Sequence, residues 1–180
     1  MEYIDILNEK GEFTGKIASR NDVHKYGLWH KAIHIFLINS QNEILVQKRT
    51  ANKEKNPNMW DISCAGHLSA GDTSIEGAIR EFREELGIKI DKSDIKLIYT
   101  IKRSYIPKDK FIENEIQDVY ICKKDIDIND IKVQKEEVAE VKYIPFEVYI
   151  EKFYNKSKDF VYRGEKYKNV IEIISNEIKL

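Results

Sequence analysis

Arg80, Glu81, Glu84 and Glu85 are the residues whose types and spacing most directly suggest chemistry. Positions i, i+3 and i+4 of a helix share a face, so this spacing gathers three carboxylates and a guanidinium on one side. Ile75, Ala78, Ile79, Phe82 and Leu86 recur at the same period and form an opposing apolar stripe. Like charges so placed destabilise an isolated helix by about a few tenths of a kcal/mol per pair, and a hard cation would relieve that repulsion. Mg²⁺ prefers carboxylate, water and phosphate oxygens, and bridging it to a diphosphate neutralises charge that develops as a P–O bond breaks. Hydrolysis also needs a nucleophilic water at neutral pH, which metal coordination beside a carboxylate supplies. Taken alone, the four residues read more readily as a solvated helix face paired to lysines.

The helix that must carry them has clear ends. Thr73 followed by Glu76 is a capping-box pattern, and Gly87 directly after Leu86 supplies a left-handed terminator. Upstream, residues 3–7, the turn-like residues 8–11 and residues 12–17 read as a short hairpin, and the region to about residue 20 is assigned to it. Residues 32–38 and 43–47 form a second hairpin, residues 53–57 break structure, and residues 60–64 return to strand composition. Downstream, residues 95–101, 116–121 and 138–144 read as strands and residues 146–154 and 166–178 as closing helices.

The flanking residues raise the specificity of the acidic face. Gly66, five residues, Asp72, seven residues and then Arg80-Glu81-Phe82-Arg83-Glu84-Glu85-Leu86-Gly87-Ile88 resemble the Nudix box across residues 66–88, with Asp72 where that family normally has Glu. The resemblance implies an α/β fold, the Nudix alpha/beta/alpha sandwich, with a mixed sheet and a loop-helix-loop motif holding the metals. By position, Glu84 and Glu85 resemble the principal metal ligands and Glu81 a further ligand or the base that deprotonates water. Arg80 groups with Glu81 and Glu84 as catalytic, and a carbonyl near Ala65 or Gly66 could complete the shell. The implied cofactor is Mg²⁺, with Mn²⁺ as an alternative.

Beyond the box, the chain resembles the branch of the family that contains isopentenyl diphosphate isomerases and their hydrolase relatives. His24-Lys25-Tyr26-Gly27-Leu28-Trp29-His30-Lys31-Ala32, the basic Gln47-Lys48-Arg49, Gly66-His67 and Glu113-Asn114-Glu115 carry that likeness. It implies that His24, His30, His67, Glu113 and Glu115 gather around a metal beside the diphosphate, with His67, Glu113 and Glu115 as further ligands. Lys48 and Arg49, together with His24 and His30, are the candidates for holding substrate. Glu113 and Glu115 lie two apart, which on a strand puts both on one face. Ala65 occupies the place where the isomerases carry a cysteine before Gly-His. Proton transfer requires a titratable atom and alanine has none, so hydrolysis is expected and isomerisation is the alternative; a non-catalytic Nudix binding module is the second. Alternation should turn Cys64 to the core if Ala65 faces the cavity. His34, Cys122, Trp29 and Trp60 read as packing residues.

Size and composition are consistent with this. The 180 residues suit one domain over residues 1–180. A net charge of −1, with acids and bases interspersed, gives no sustained basic field, so nucleic acid is a poor partner. Two cysteines are too few for a disulfide framework. With no signal-like start and no apolar run long enough for a span, a cytoplasmic protein without a membrane partner is expected, as monomer or homodimer, acting on a small-molecule diphosphate.

Overall fold

The computed structural model describes residues 2–106 and 112–178. From the N-terminus, β1 (Tyr3–Leu7) and β2 (Phe13–Ser19) pair as an antiparallel hairpin, followed by α1 (Arg20–Tyr26). Strands β3 (His30–Ile38), β4 (Glu43–Arg49), β5 (Trp60–Asp61) and β6 (Cys64–His67) lead into α2 (Ser74–Leu86). Strands β7 (Ile95–Tyr105), β8 (Glu113–Lys123) and β9 (Val138–Pro145) then precede α3 (Phe146–Tyr154) and α4 (Tyr167–Ile178).

Seven strands, β3 to β9, make one mixed sheet. β3 lies parallel to β8 and antiparallel to β6, and β7 continues antiparallel on the far side of β8. β4 carries β5 and β9, and touches β3 at the single pair Ile38 with Ile44. β3 is apolar on both faces, the pattern of a strand covered from both sides. Its Ile33, Ile35 and Leu37 pack with Ala78, Phe82 and Leu86 of α2, whereas Phe36 and Ile38 pack with Tyr149 and Phe153 of α3 and Val170 and Ile174 of α4. Each such side chain contributes about 1.5–3 kcal/mol when fully buried. The result is the helix-sheet-helix sandwich the sequence implied.

A smaller apolar group of Ile4, Ile6 and Val23 seats the hairpin. Leu7 N–H donates to Trp29 O at 2.8 Å and Ala70 N–H to Tyr3 O at 2.8 Å, tying β1 to the start of β3 and the loop before α2. Two local departures from the sequence reading have physical reasons. The strand expected over residues 60–64 is split into β5 and β6, because Asp61 Oδ1 accepts from Ile62 N–H at 2.8 Å and Ser63 leaves the ladder. The Ser63 hydroxyl instead bridges β3 and β4 where they separate, accepting from Leu37 N–H and donating to Leu45 O. The helix α1 was not anticipated; a Ser19 cap on Asp22 N–H and Gly27 at φ 63° bound a turn that buries only Val23 and His24. Among the described residues no helix is long and apolar enough to cross a membrane.

Candidate active site

The box helix is fixed at both ends before any chemistry is considered. Glu76 Oε2 accepts from the Thr73 N–H and hydroxyl at 3.3 and 2.6 Å, and Gly87, at φ 68°, donates its N–H to Arg83 O. Ser74, the first helical residue, donates to Asp118 Oδ2 of β8 at 2.6 Å, and the same carboxylate accepts from Lys31 Nζ of β3 at 2.7 Å and Thr100 Oγ1 of β7 at 2.8 Å. The helix is thereby keyed to three strands.

On its inner face, Glu81 lies against Gly66. A Cβ built there would stand 2.5 Å from the Glu81 carboxylate, so only glycine permits this approach. Arg80 laces the acids together, donating to Asp72 Oδ2 at 3.1 Å, Glu81 Oε1 at 2.8 Å, Glu84 Oε2 at 3.1 Å and His67 O at 3.2 Å. The shorter Asp72 therefore still reaches its arginine. Glu84 is exposed, while Glu85 is buried and accepts from Gln47 Nε2 at 3.1 Å. Burial, reinforced by Glu85, raises Glu81 to about 7 against the pull of Arg80. Burial also raises Glu85. Carboxylates held near each other in such surroundings favour a cation with oxygen preference.

Beside this face, α1 contributes His24, the start of β3 His30, the end of β6 His67 and the start of β8 Glu115. The pairings of His30 with Glu115 and of Ala32 with His67 bring the last three together. The three imidazole rings lie 5.1–5.2 Å apart, and one nitrogen from each falls within 4.8 Å of the others. Glu115 Oε1 stands 3.7 Å from His30 Nε2 and 3.8 Å from His67 Nε2. His30 Nδ1 lies 2.9 Å from Leu28 O and His24 Nδ1 3.3 Å from Ile112 O. A carbonyl only accepts, so each Nδ1 carries a proton, which leaves Nε2 as the ligand atom of the neutral ring. Among the described residues, Nε2 of His30 and of His67 are buried without a hydrogen-bond partner.

Burial lowers His24 to about 3 and depresses His67, while Glu115, which burial would raise, is held well below the usual carboxylate range by His30 and His67. A neutral His24 and His67 beside an ionised Glu115 are protonation states that suit a bound cation. The residues fit a metal: a nitrogen-rich set suits a transition ion, and the box carboxylates suit Mg²⁺.

Other expected site residues are placed differently. Glu113 is paired with Lys55 Nζ at 2.6 Å and Arg103 Nη2 at 3.6 Å. Lys48 lies over the Trp60 ring, 5.8 Å from its centroid, and Arg49 donates to Lys55 O and sits 3.7 Å from Asp61. Cys64 packs in the α2-side core beside Glu85, with burial raising its thiol well above the ordinary range, and Ala65 packs against the other core. Trp60 belongs to the core; Trp29 is half-buried under Lys102. His34 is buried between Arg163 and Tyr167.

The sequence reading gives no role to Gln117, whose Nε2 donates to Glu115 Oε2 at 2.6 Å, and takes Gln47 only as a strand residue and as the start of the Gln47-Lys48-Arg49 stretch. Gln117 stands two residues from Glu115 on β8 and so shares its face, whereas the partner of Gln47 lies on α2 and only tertiary packing reveals it.

Comparison with known proteins places the chain in a family. The NUDIX domain family profile matches residues 28–163. The chain is 41% identical over 152 residues to Nudix hydrolase 3 of Arabidopsis thaliana, covering 82% of this chain but 20% of that protein. It is 40% identical over 144 residues to an uncharacterized Nudix hydrolase of Listeria monocytogenes, covering 80% of each. An isopentenyl-diphosphate Delta-isomerase of Photorhabdus laumondii is 28% identical over 144 residues, 80% of this chain and 78% of that one. The solved structure of a Deinococcus radiodurans protein superposes with a TM-score of 0.68 at 20% identity, over 95% of this chain and 98% of the other. The chain belongs to the Nudix hydrolase family.

Proposed function

We propose that this protein is a Mg²⁺-dependent hydrolase of a small organic diphosphate, with isoprenoid diphosphates as the first candidates and nucleoside diphosphate derivatives as the second. The observation that carries the reading is the meeting, at Gly66 and His67, of two donor sets of different chemistry. One is the Arg80-laced Glu81, Glu84 and Glu85; the other is His24, His30, His67 and Glu115. The metals would supply Lewis-acid charge neutralisation and a more acidic water. Glu84 and Glu85 hold one ion, Glu81 holds it too or takes the proton of the attacking water, and Arg80 keeps the acids in register. The histidines and Glu115 hold the second ion.

Ala65 favours hydrolysis over isomerisation. It lies on the sheet face that β6 shares with His67, and its methyl group cannot carry a proton to or from carbon. Cys64 packs into the α2-side core, away from the face of Ala65, so it is no substitute. The deciding experiment incubates the purified protein and Mg²⁺ with isopentenyl, dimethylallyl, nucleoside and sugar diphosphates and identifies products by mass. Release of phosphate or a monophosphate, abolished by chelation, is expected, with no conversion of isopentenyl to dimethylallyl diphosphate. A flat response across all compounds, or efficient isomerisation lost in Cys64→Ser, would overturn the proposal.

A further inference from the structure

We infer that Gln47 and Gln117 are positioning residues, one for each metal centre, each holding one ligand carboxylate; the inference rests on the two-centre reading above. Gln47, on β4, is 5% exposed and donates Nε2 to Glu85 Oε2 at 3.1 Å. Gln117, on β8, is 1% exposed and donates Nε2 to Glu115 Oε2 at 2.6 Å.

An ionised carboxylate only accepts hydrogen bonds, so each amide must turn its NH₂ group to the glutamate and its carbonyl the other way. Among the described residues both Gln47 Oε1 and Gln117 Oε1 are buried with no hydrogen-bond partner. Buried acceptors in native proteins are nearly always satisfied. Packing does not account for these two, since a methionine would fill similar space without leaving an acceptor stranded. Both occur on glutamines that grip a candidate ligand, and both are accounted for if an O–H donor enters with the ion. Hard cations bring waters with them. Each glutamine then does two things: its NH₂ fixes the rotation of the carboxylate, and its carbonyl accepts from a water in the filled site. At Glu115 the grip on Oε2 leaves Oε1 directed between His30 and His67. Outer contacts of this kind are worth about 10- to 100-fold in metal affinity.

The test titrates metal-stripped full-length protein with Co²⁺, whose visible bands report nitrogen ligation at the histidines, and with Mn²⁺, followed by calorimetry and electron spin resonance at the carboxylates. Gln117→Met is expected to weaken Co²⁺ binding about 10- to 100-fold and shift its bands while leaving Mn²⁺ unchanged, and Gln47→Met to do the converse. A general loss of packing would not split the two metals in this way. If Gln117→Met does not fold, Gln117→Asn, which keeps the amide but withdraws it by one methylene, gives the same reading. Should both variants bind both metals like the wild type, the inference fails while the two-centre reading stands. Should the wild type take up no Co²⁺ at its histidines, that reading fails and the inference with it.

Discussion

At the scale of single residues, the site depends on approaches that leave no spare volume. Gly66→Ala would place a methyl 2.5 Å from the Glu81 carboxylate and force it out of its position. A fall in kcat of about 10²- to 10⁴-fold is expected, the range associated with losing a positioned proton-transfer group, and Glu81→Gln should match it. Glu84→Gln makes a useful contrast because Glu84 is exposed. It should abolish turnover while the unfolding free energy stays within about 0.5 kcal/mol of wild type. Steady-state kinetics beside urea melts of the three variants check this; normal turnover in Glu84→Gln would remove its assignment as a ligand. The acid trio was legible in the sequence because its members are neighbours on one helix, with Gly66 and Asp72 at fixed offsets. Gln47 was not, since its partner Glu85 lies on another element and is set by tertiary packing; Gln117 shares a strand face with Glu115, but a glutamine two residues from a glutamate carries no signal of its own.

At the scale of elements, α2 works because it cannot slide. Ser74 donates to Asp118 and accepts from Tyr120 OH at 2.8 Å, so its hydroxyl anchors the helix start to β8. Ser74→Ala should cost about 1–3 kcal/mol, the range for stranding a buried polar partner. Thr73→Ala, at an exposed cap, should cost about 1 kcal/mol. Only Ser74→Ala, which loosens the helix relative to β3 and β8, should also lower kcat; equal kinetics in the two variants would show that the anchor serves stability alone. The helix was readable from its 3.6-residue apolar period and its caps, and the strands from β-branched runs. α1 was not readable because its seven residues are mostly polar and present one buried apolar side chain, Val23. That omission mattered, for α1 delivers His24 to the other two histidines.

At the scale of the whole molecule, a buried polar knot joins the sheet to the last helix. Arg163 donates to both Asp61 oxygens at 2.7–3.0 Å and to His34 Nε2 at 2.9 Å, and Tyr167 of α4 is hydrogen-bonded to His34 Nδ1. Burial and then the Arg163 charge press His34 well below its ordinary value, so the folded state keeps it neutral. The unfolded chain binds that proton below about pH 6.5, so this contribution is intact above that pH and is lost as the pH falls. Relative to His34→Leu, the wild type should lose about 2 kcal/mol of unfolding free energy between pH 7 and pH 5. Urea titrations at several pH values measure it, and parallel curves for the two proteins would show that His34 is already protonated in the fold.

β3 lends one face to each apolar core and meets β4 at a single pair. Neither helical layer can open without uncovering β3, so the molecule should lack a separable subdomain and lose both layers in one step. Amide deuteration offers the signature: N–H groups of residues 33–37, buried in mid-strand, should exchange only through global opening, with protection equal to the full unfolding free energy. The hairpin β1–β2, held by its own small cluster, should exchange well before them. A protein arranged this way keeps its histidine and carboxylate centres together or not at all, because β3, which begins with His30, is the strand on which both layers depend.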